Sequence, residues 1–288
     1  MSLISFIQQS VLMFSLLVLL CCTSAFVFGQ TKNVLFIGNS FTMNNQMPKK
    51  LEQMASREGE SLYTEQVTVG GKGWDFHARN SQTYTTIKNE PWDYVVLQAM
   101  SFEPLYPEHV LQQNTIKNGQ IIIDSIRHYH PDVKIMLFMT WGYKEGIYID
   151  YEYQTIDYAE MQSRLQRQYM RFGELYCSAI APIGKVWEKT RSLYPDYNLY
   201  SDDNYHQSEL GSYLIASTFY SMIYDKSLQD FTQIPFRNVA ESQARNINSI
   251  VREVLLYPGQ DWGRNFWLDE SEVKLHTSQR LSRHFFRL

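Results

Sequence analysis

Five short apolar runs, at residues 33–37, 64–69, 93–98, 134–140 and 177–182, alternate with longer stretches whose apolar residues recur at helical spacing. This alternation constrains the chain more than any other feature. Runs so short and so rich in β-branched and aromatic residues read as strands buried on both faces. The stretches at 47–58, 76–88, 109–129 and 157–175 read as helices. Strands joined through helices lie parallel, and the helices then cover both faces of the sheet. The expected architecture is an α/β fold with three layers, doubly wound around a central, mostly parallel five-stranded sheet. Two more helices are expected at 208–224 and 239–256, the first opened by Ser208 with Glu209 near its positive end.

The 288 residues, 44% hydrophobic and 15% aromatic, suffice for one sizeable core. One domain is expected over residues 30–256, followed by a tail at 257–288 where periodicity stops and Trp262, Phe266 and Trp267 stand among charges. A wrap over the domain surface is the expectation for the tail. At the other end, residues 11–22 form an almost unbroken apolar run followed by Thr23, Ser24 and Ala25. That pattern is a secretory leader over 1–29, and cleavage after Ala25 or Gly29 implies a secreted or periplasmic protein. Retention implies a membrane anchor, since the apolar stretch to Phe28 approaches spanning length. Cys21 and Cys22 fall in the leader, which leaves Cys177 without a partner for an internal disulfide. Net charge is -4, with Lys and Arg scattered along the chain, so nucleic acid is not an expected partner.

Open α/β sheets bind ligands beyond the carboxyl ends of their strands. After the first run comes Gly38-Asn39-Ser40, a tight turn that puts a serine at the entry to a helix, where backbone N–H groups can stabilise an oxyanion. Asn and Ser are also ordinary capping residues. Far along the chain, Asp203 stands three residues before His206, just ahead of the helix at 208–224. A nucleophilic serine needs a neutral imidazole to take its proton, and the imidazole needs a carboxylate to fix its tautomer. By spacing alone, a capping Asp and a surface His fit the same residues. His77, His109, His128, His130, His276 and His284 read as surface or hydrogen-bonded histidines.

Taken together, the Gly-Asn-Ser block and the late Asp-x-x-His block resemble the SGNH (GDSL-like) hydrolases, in that family's order, over roughly residues 32–225. The resemblance implies an SGNH/flavodoxin-like version of the fold, with Ser40 as nucleophile, His206 as base and Asp203 as its orienting acid. It implies an oxyanion hole made by the Ser40 N–H, Gly73 or alternatively Gly71 from Gly70-Gly71-Lys72-Gly73, and Gln98. The last stands where the family carries Gly-x-Asn-Asp, as in a subgroup of secreted bacterial proteins with Gln in this third block. Trp141 and Tyr143, after the fourth run, are expected to line an acyl or sugar pocket, with core packing equally open. No metal or cofactor is required. The implied activity is that of a secreted serine ester hydrolase on a small-molecule or glycan ester, as a carbohydrate O-acyl or O-acetyl esterase or a short-chain esterase. An O-acyltransferase using the same residues, or a non-catalytic glycan-binding protein on a degraded hydrolase fold, stays open beside it.

Overall fold

The apolar runs become strands β1 (Lys32–Gly38), β2 (Leu62–Thr68), β3 (Tyr94–Leu97) and β4 (Lys134–Phe138), then a hairpin of β5 (Ile147–Ile149) and β6 (Gln154–Ile156), and last β7 (Ala179–Ala181). The computed structural model describes residues 30–226, 228, 236–256 and 260–267. The leader expected at 1–29 and most of the tail expected at 257–288 lie outside these. Five strands pair in the order β2-β1-β3-β4-β7, each pair parallel, and helices flank the sheet. Val34 to Ile37 of β1 and Val95 to Leu97 of β3 are fully or almost fully buried, as inner strands covered on both faces require. Chain order reverses between β1 and β3. Their carboxyl ends therefore open the crevice in which such folds place ligands.

Several elements depart from the expected bounds. The run at 64–69 extends back to Leu62, because this edge strand follows the register Lys32↔Leu62 along its neighbour. The run at 177–182 shrinks to Ala179–Ala181, because Cys177 takes a positive φ of 45° that no strand accommodates. The helix expected at 76–88 is two, Trp74–His77 and Ser81–Asn89, since the Asn80 side chain accepts the Gln82 N–H and starts the second afresh. The stretch at 109–129 runs through a π-helical segment, Leu111–Ile116, before the α-helix Lys117–Tyr129. Helix Ile183–Leu193 and the β5–β6 hairpin add to the expected set. Helix Glu209–Tyr224 is buried almost throughout and packs against Met47–Arg57 and Glu241–Leu255.

The described part of the tail lies along β7. The Ile180 N–H donates to the Trp262 carbonyl at 2.7 Å, and the Trp262 indole N–H donates to Val254 at 3.0 Å. That pairing occupies a sheet edge that would otherwise be open.

Candidate active site

Strand β1 ends at Gly38, and the chain turns at once into the short helix Ser40–Met43. Asn39 caps that helix, its side-chain oxygen accepting the Phe41 N–H at 3.1 Å. The turn passes so close to the end of β3 that a Cβ on Gly38 would stand 2.7 Å from Gln98 Oε1 and 2.9 Å from Thr42 Oγ1. Only glycine permits that approach. Ser40 is thereby presented half-buried at the crevice.

The second component is the loop before helix Glu209–Tyr224. Its base is closed by a bridge between Tyr200 and Gln207 and by the Ser201 N–H donating to the His206 carbonyl at 2.9 Å. Asn204 turns the loop with a φ of 65°. Within it, Asp203 Oδ1 accepts the N–H groups of His206 at 2.9 Å and Tyr205 at 3.1 Å and the Ser201 hydroxyl at 3.0 Å. Oδ2 faces His206 Nδ1 at 2.7 Å. The other ring nitrogen, Nε2, stands 2.7 Å from Ser40 Oγ. Gln207 Nε2 donates to the Phe41 carbonyl at 3.0 Å and ties the two loops together.

Partial burial is the largest influence on the Asp203 carboxyl and pushes its pKa up. The hydrogen bonds from the His206 ring, the two N–H groups and the Ser201 hydroxyl together outweigh it and hold the pKa at about 2. Asp203 is therefore ionised at neutral pH. An ionised acceptor at Nδ1 keeps the proton there and leaves Nε2 as the acceptor for the Ser40 hydroxyl. The imidazole lies between aromatic rings, Tyr205 at 4.3 Å and Phe41 at 5.2 Å between centroids. Ser40, Asp203 and His206, 166 residues apart at the widest, are thus brought into one hydrogen-bonded line. Asp203, not Asp202, faces the ring.

The Gly-rich loop after β2 leans on the same turn, the Asn39 side-chain amide donating to the Lys72 carbonyl at 2.9 Å. Among the described residues, the N–H groups of Ser40, Gly71 and Gly73 have no protein acceptor. Gly71 is exposed, with a φ of 66°, and Gly73 is buried.

Gln98 is placed otherwise than expected, and Trp141 takes the second of the two places open to it. Gln98 is fully buried, its oxygen accepting the Asn39 N–H at 2.9 Å and the Thr42 hydroxyl at 3.0 Å, while its NH2 donates to the Ala99 carbonyl. Its amide holds the nucleophile turn and does not present a donor to the crevice. Trp141 is fully buried too, stacked on Trp187 at 4.1 Å and on Phe41 at 4.8 Å, with its indole N–H on the Tyr205 carbonyl at 3.0 Å. It backs the histidine loop from the core. Tyr143 stands at the rim, 5.3 Å from the Tyr205 ring, with its hydroxyl 2.6 Å from Ser101 Oγ. Buried His77 is hydrogen-bonded, Nε2 lying 2.9 Å from the Gly38 carbonyl. Phe41, Tyr205, Ser101 and Glu103 were not expected at the site. Tyr205 had a signal in its place beside His206, and Phe41 in its place beside Ser40, whereas nothing local marks Ser101 or Glu103. A polar cavity of about 400 Å³ beside the histidine loop is lined by Lys144, Arg191, Tyr197 and Tyr200 and includes none of Ser40, Asp203 and His206.

No family profile and no curated protein matches the sequence. Solved structures do. A DUF4886 family protein from Bacteroides uniformis, 18% identical, superposes with a TM-score of 0.67 over 80% of this chain and 97% of its own. A provisionally assigned SGNH hydrolase from Slackia heliotrinireducens, 21% identical, gives 0.54 over 67% of this chain and all of its own. An acetyl xylan esterase variant from Geobacillus stearothermophilus, 16% identical, gives 0.50 over 70% of this chain and 99% of its own. The fold is that of the SGNH hydrolases.

Proposed function

We propose that this protein is a serine esterase working through an acyl-enzyme, with Ser40 as nucleophile, His206 as base and acid, and Asp203 as the group that orients His206. The observation that carries the proposal is the unbroken line from Asp203 Oδ2 through both ring nitrogens to Ser40 Oγ, with 2.7 Å at each link. Ser40 Oγ attacks the ester carbonyl carbon as its proton passes to His206 Nε2. The carbonyl oxygen becomes an oxyanion, which the N–H groups of Ser40 and Gly73 are free to receive, with Gly71 as a further donor. His206 then protonates the departing alkoxide, the C–O bond breaks, and the acyl group stays on Ser40. Water, deprotonated by the same nitrogen, releases the carboxylic acid and restores the serine.

For the substrate, a carbohydrate O-acetyl or other short acyl ester is favoured. Tyr143 and Tyr205 offer ring faces of the kind that sugars pack against, and the leader at 1–29 suits an exported enzyme. The acetyl xylan esterase that shares the fold agrees with this choice. A fluorophosphonate probe tests the mechanism directly. Covalent labelling of the intact chain, lost in Ser40→Ala and in His206→Ala, is the expected result. Labelling that persists in Ser40→Ala removes Ser40 as the nucleophile.

A further inference from the structure

Glu103 is a buried carboxylate that the mechanism above does not use. It is 3% exposed, and the charged neighbour acting on it, Asp75, has the same sign. A buried charge without a counter-ion is costly to hold, and an apolar residue of the same size would serve packing better. Its hydrogen bonds reach three separate segments. Oε2 accepts the Met100 N–H at 3.0 Å, in the turn after β3. Oε1 accepts the Thr115 hydroxyl at 3.0 Å, in the π-helical segment. The Trp74 N–H lies against the same carboxyl; burial pushes the Glu103 pKa up, and the bonds from Met100, Thr115 and Trp74 work against that rise without cancelling it. A Cβ on Gly73 would stand 2.5 Å from Oε2 and 3.1 Å from the carboxyl carbon, so the carboxylate and the Gly73 backbone are in direct contact.

On its other side the Gly-rich loop is held by Asn39, the residue before the nucleophile, through Lys72. Gly73 is thus clamped between the nucleophile turn and Glu103, and among the described residues its N–H has no protein acceptor. We infer that Glu103 is a positioning residue which fixes the Gly73 N–H for the oxyanion of the reaction proposed above, on which this inference rests. The bonds to Met100 and Thr115 anchor the carboxylate, and the contact with Gly73 and Trp74 passes that anchorage to the donor. Donors held in place before the charge develops stabilise the transition state more than the ground state. Losing the clamp therefore lowers turnover and leaves substrate binding nearly unchanged.

The experiment measures kcat and KM on p-nitrophenyl acetate, with kcat divided by the number of sites that a fluorophosphonate probe labels exhaustively. Glu103→Ala is expected to lose about tenfold or more in kcat per labelled site, with KM within about threefold of wild type. Glu103→Gln keeps an acceptor for Met100 and can donate to the Thr115 hydroxyl, so it is expected to recover turnover to within about threefold. A merely structural Glu103 would lower the labelled fraction and leave turnover per labelled site as it was. Thr115→Val removes only the bond to Oε1 and carries the test if Glu103→Ala does not fold, with a loss of about two- to fivefold expected at unchanged KM. Wild-type turnover per labelled site, in whichever of these two variants folds, overturns the inference and leaves the esterase intact. A wild-type protein that is neither labelled nor active overturns both.

Discussion

The two loops that meet at the crevice treat their polar side chains in opposite ways. In the histidine loop, Asp203 and His206 keep 36% and 18% of their side chains exposed, and beside the bonds by which Asp203 Oδ1 holds its own loop a line runs from Oδ2 through the ring to Ser40. In the turn after β3, Gln98 and Glu103 are buried, and their bonds run to backbone N–H groups and hydroxyls. A group that exchanges protons with a substrate must be reachable, whereas a group that fixes backbone works best where water cannot compete for its partners. Burial therefore separates the reactive residues from those that hold them, although both sets follow the carboxyl ends of strands or precede a helix in the same crevice.

The largest effects are expected in the exposed loop and its partner. Ser40→Ala and His206→Ala each lower p-nitrophenyl acetate hydrolysis by about a thousandfold or more, with thermal unfolding close to that of wild type, since both groups lie at the crevice and neither is fully buried. A large fall in melting temperature in either variant breaks the comparison, because the exposed set would then be carrying structure. Asp203→Asn is expected to retain more activity than either, by roughly one to two powers of ten, since the orienting carboxylate supports the base without replacing it. Its pH behaviour sharpens the point. The Asp203 pKa is depressed in the folded protein, so its contribution to stability is complete above the unfolded carboxylate value of about 3.9. That contribution is lost only as pH falls through about 2. Asp203 therefore stays ionised on mild acidification, and any turnover lost there does not come from its protonation.

How much of this was open to inspection in the sequence follows from the same division. The inner strands were plain because burial on both faces leaves continuous apolar runs, as in Val34 to Ile37. Ser40, Asp203 and His206 were recoverable because one turn and one Asp-x-x-His spacing set their local geometry. Helix Ile183–Leu193 repeats Ile183, Val186, Trp187 and Thr190 at helical spacing, yet only Pro182 separates it from β7, so no turn signal marks it off in the sequence. The side-chain directions of Gln98 and Trp141 are not legible in the sequence for a deeper reason. The position after a strand indicates the crevice edge, but the direction of the side chain depends on neighbours distant in sequence, Asn39 and Thr42 for Gln98 and Trp187 for Trp141. Glu103 gave no local signal, because its partners Trp74 and Thr115 come from other segments.

A smaller effect is expected on the buried side. Gln98→Ala leaves the Asn39 N–H and the Thr42 hydroxyl without their acceptor, which costs about 1–3 kcal/mol of stability, besides the space left beneath Gly38. Chemical denaturation should show that loss, and turnover should fall with it as the Ser40 turn loosens. Gln98→Asn is too short by one methylene to restore both bonds and should lie between the two. A selective loss of kcat at full stability would instead make Gln98 an oxyanion donor and erase the distinction between the two loops.

The smallest effect is expected at Tyr143, which follows β4 and stands between the two regions, its ring beside Tyr205 and its hydroxyl 2.6 Å from Ser101 Oγ. Burial pushes the Tyr143 pKa above the usual phenol value, so the hydroxyl stays neutral in the working range and acts only as a hydrogen-bonding group. Tyr143→Phe keeps the ring beside Phe41 and Tyr205 and removes one neutral bond, leaving the 5% exposed Ser101 to find another partner. The loss should be about 1 kcal/mol, which for a chain of this size lowers the melting temperature by about 2–4 °C. Turnover should stay within about twofold, because the histidine line does not pass through Tyr143 and a neutral bond away from the reacting atoms gains nothing in the transition state. A tenfold fall in kcat with stability unchanged would put the phenol hydroxyl on the reacting ester itself, and Tyr143 would then belong with Ser40 and His206 on the reactive side.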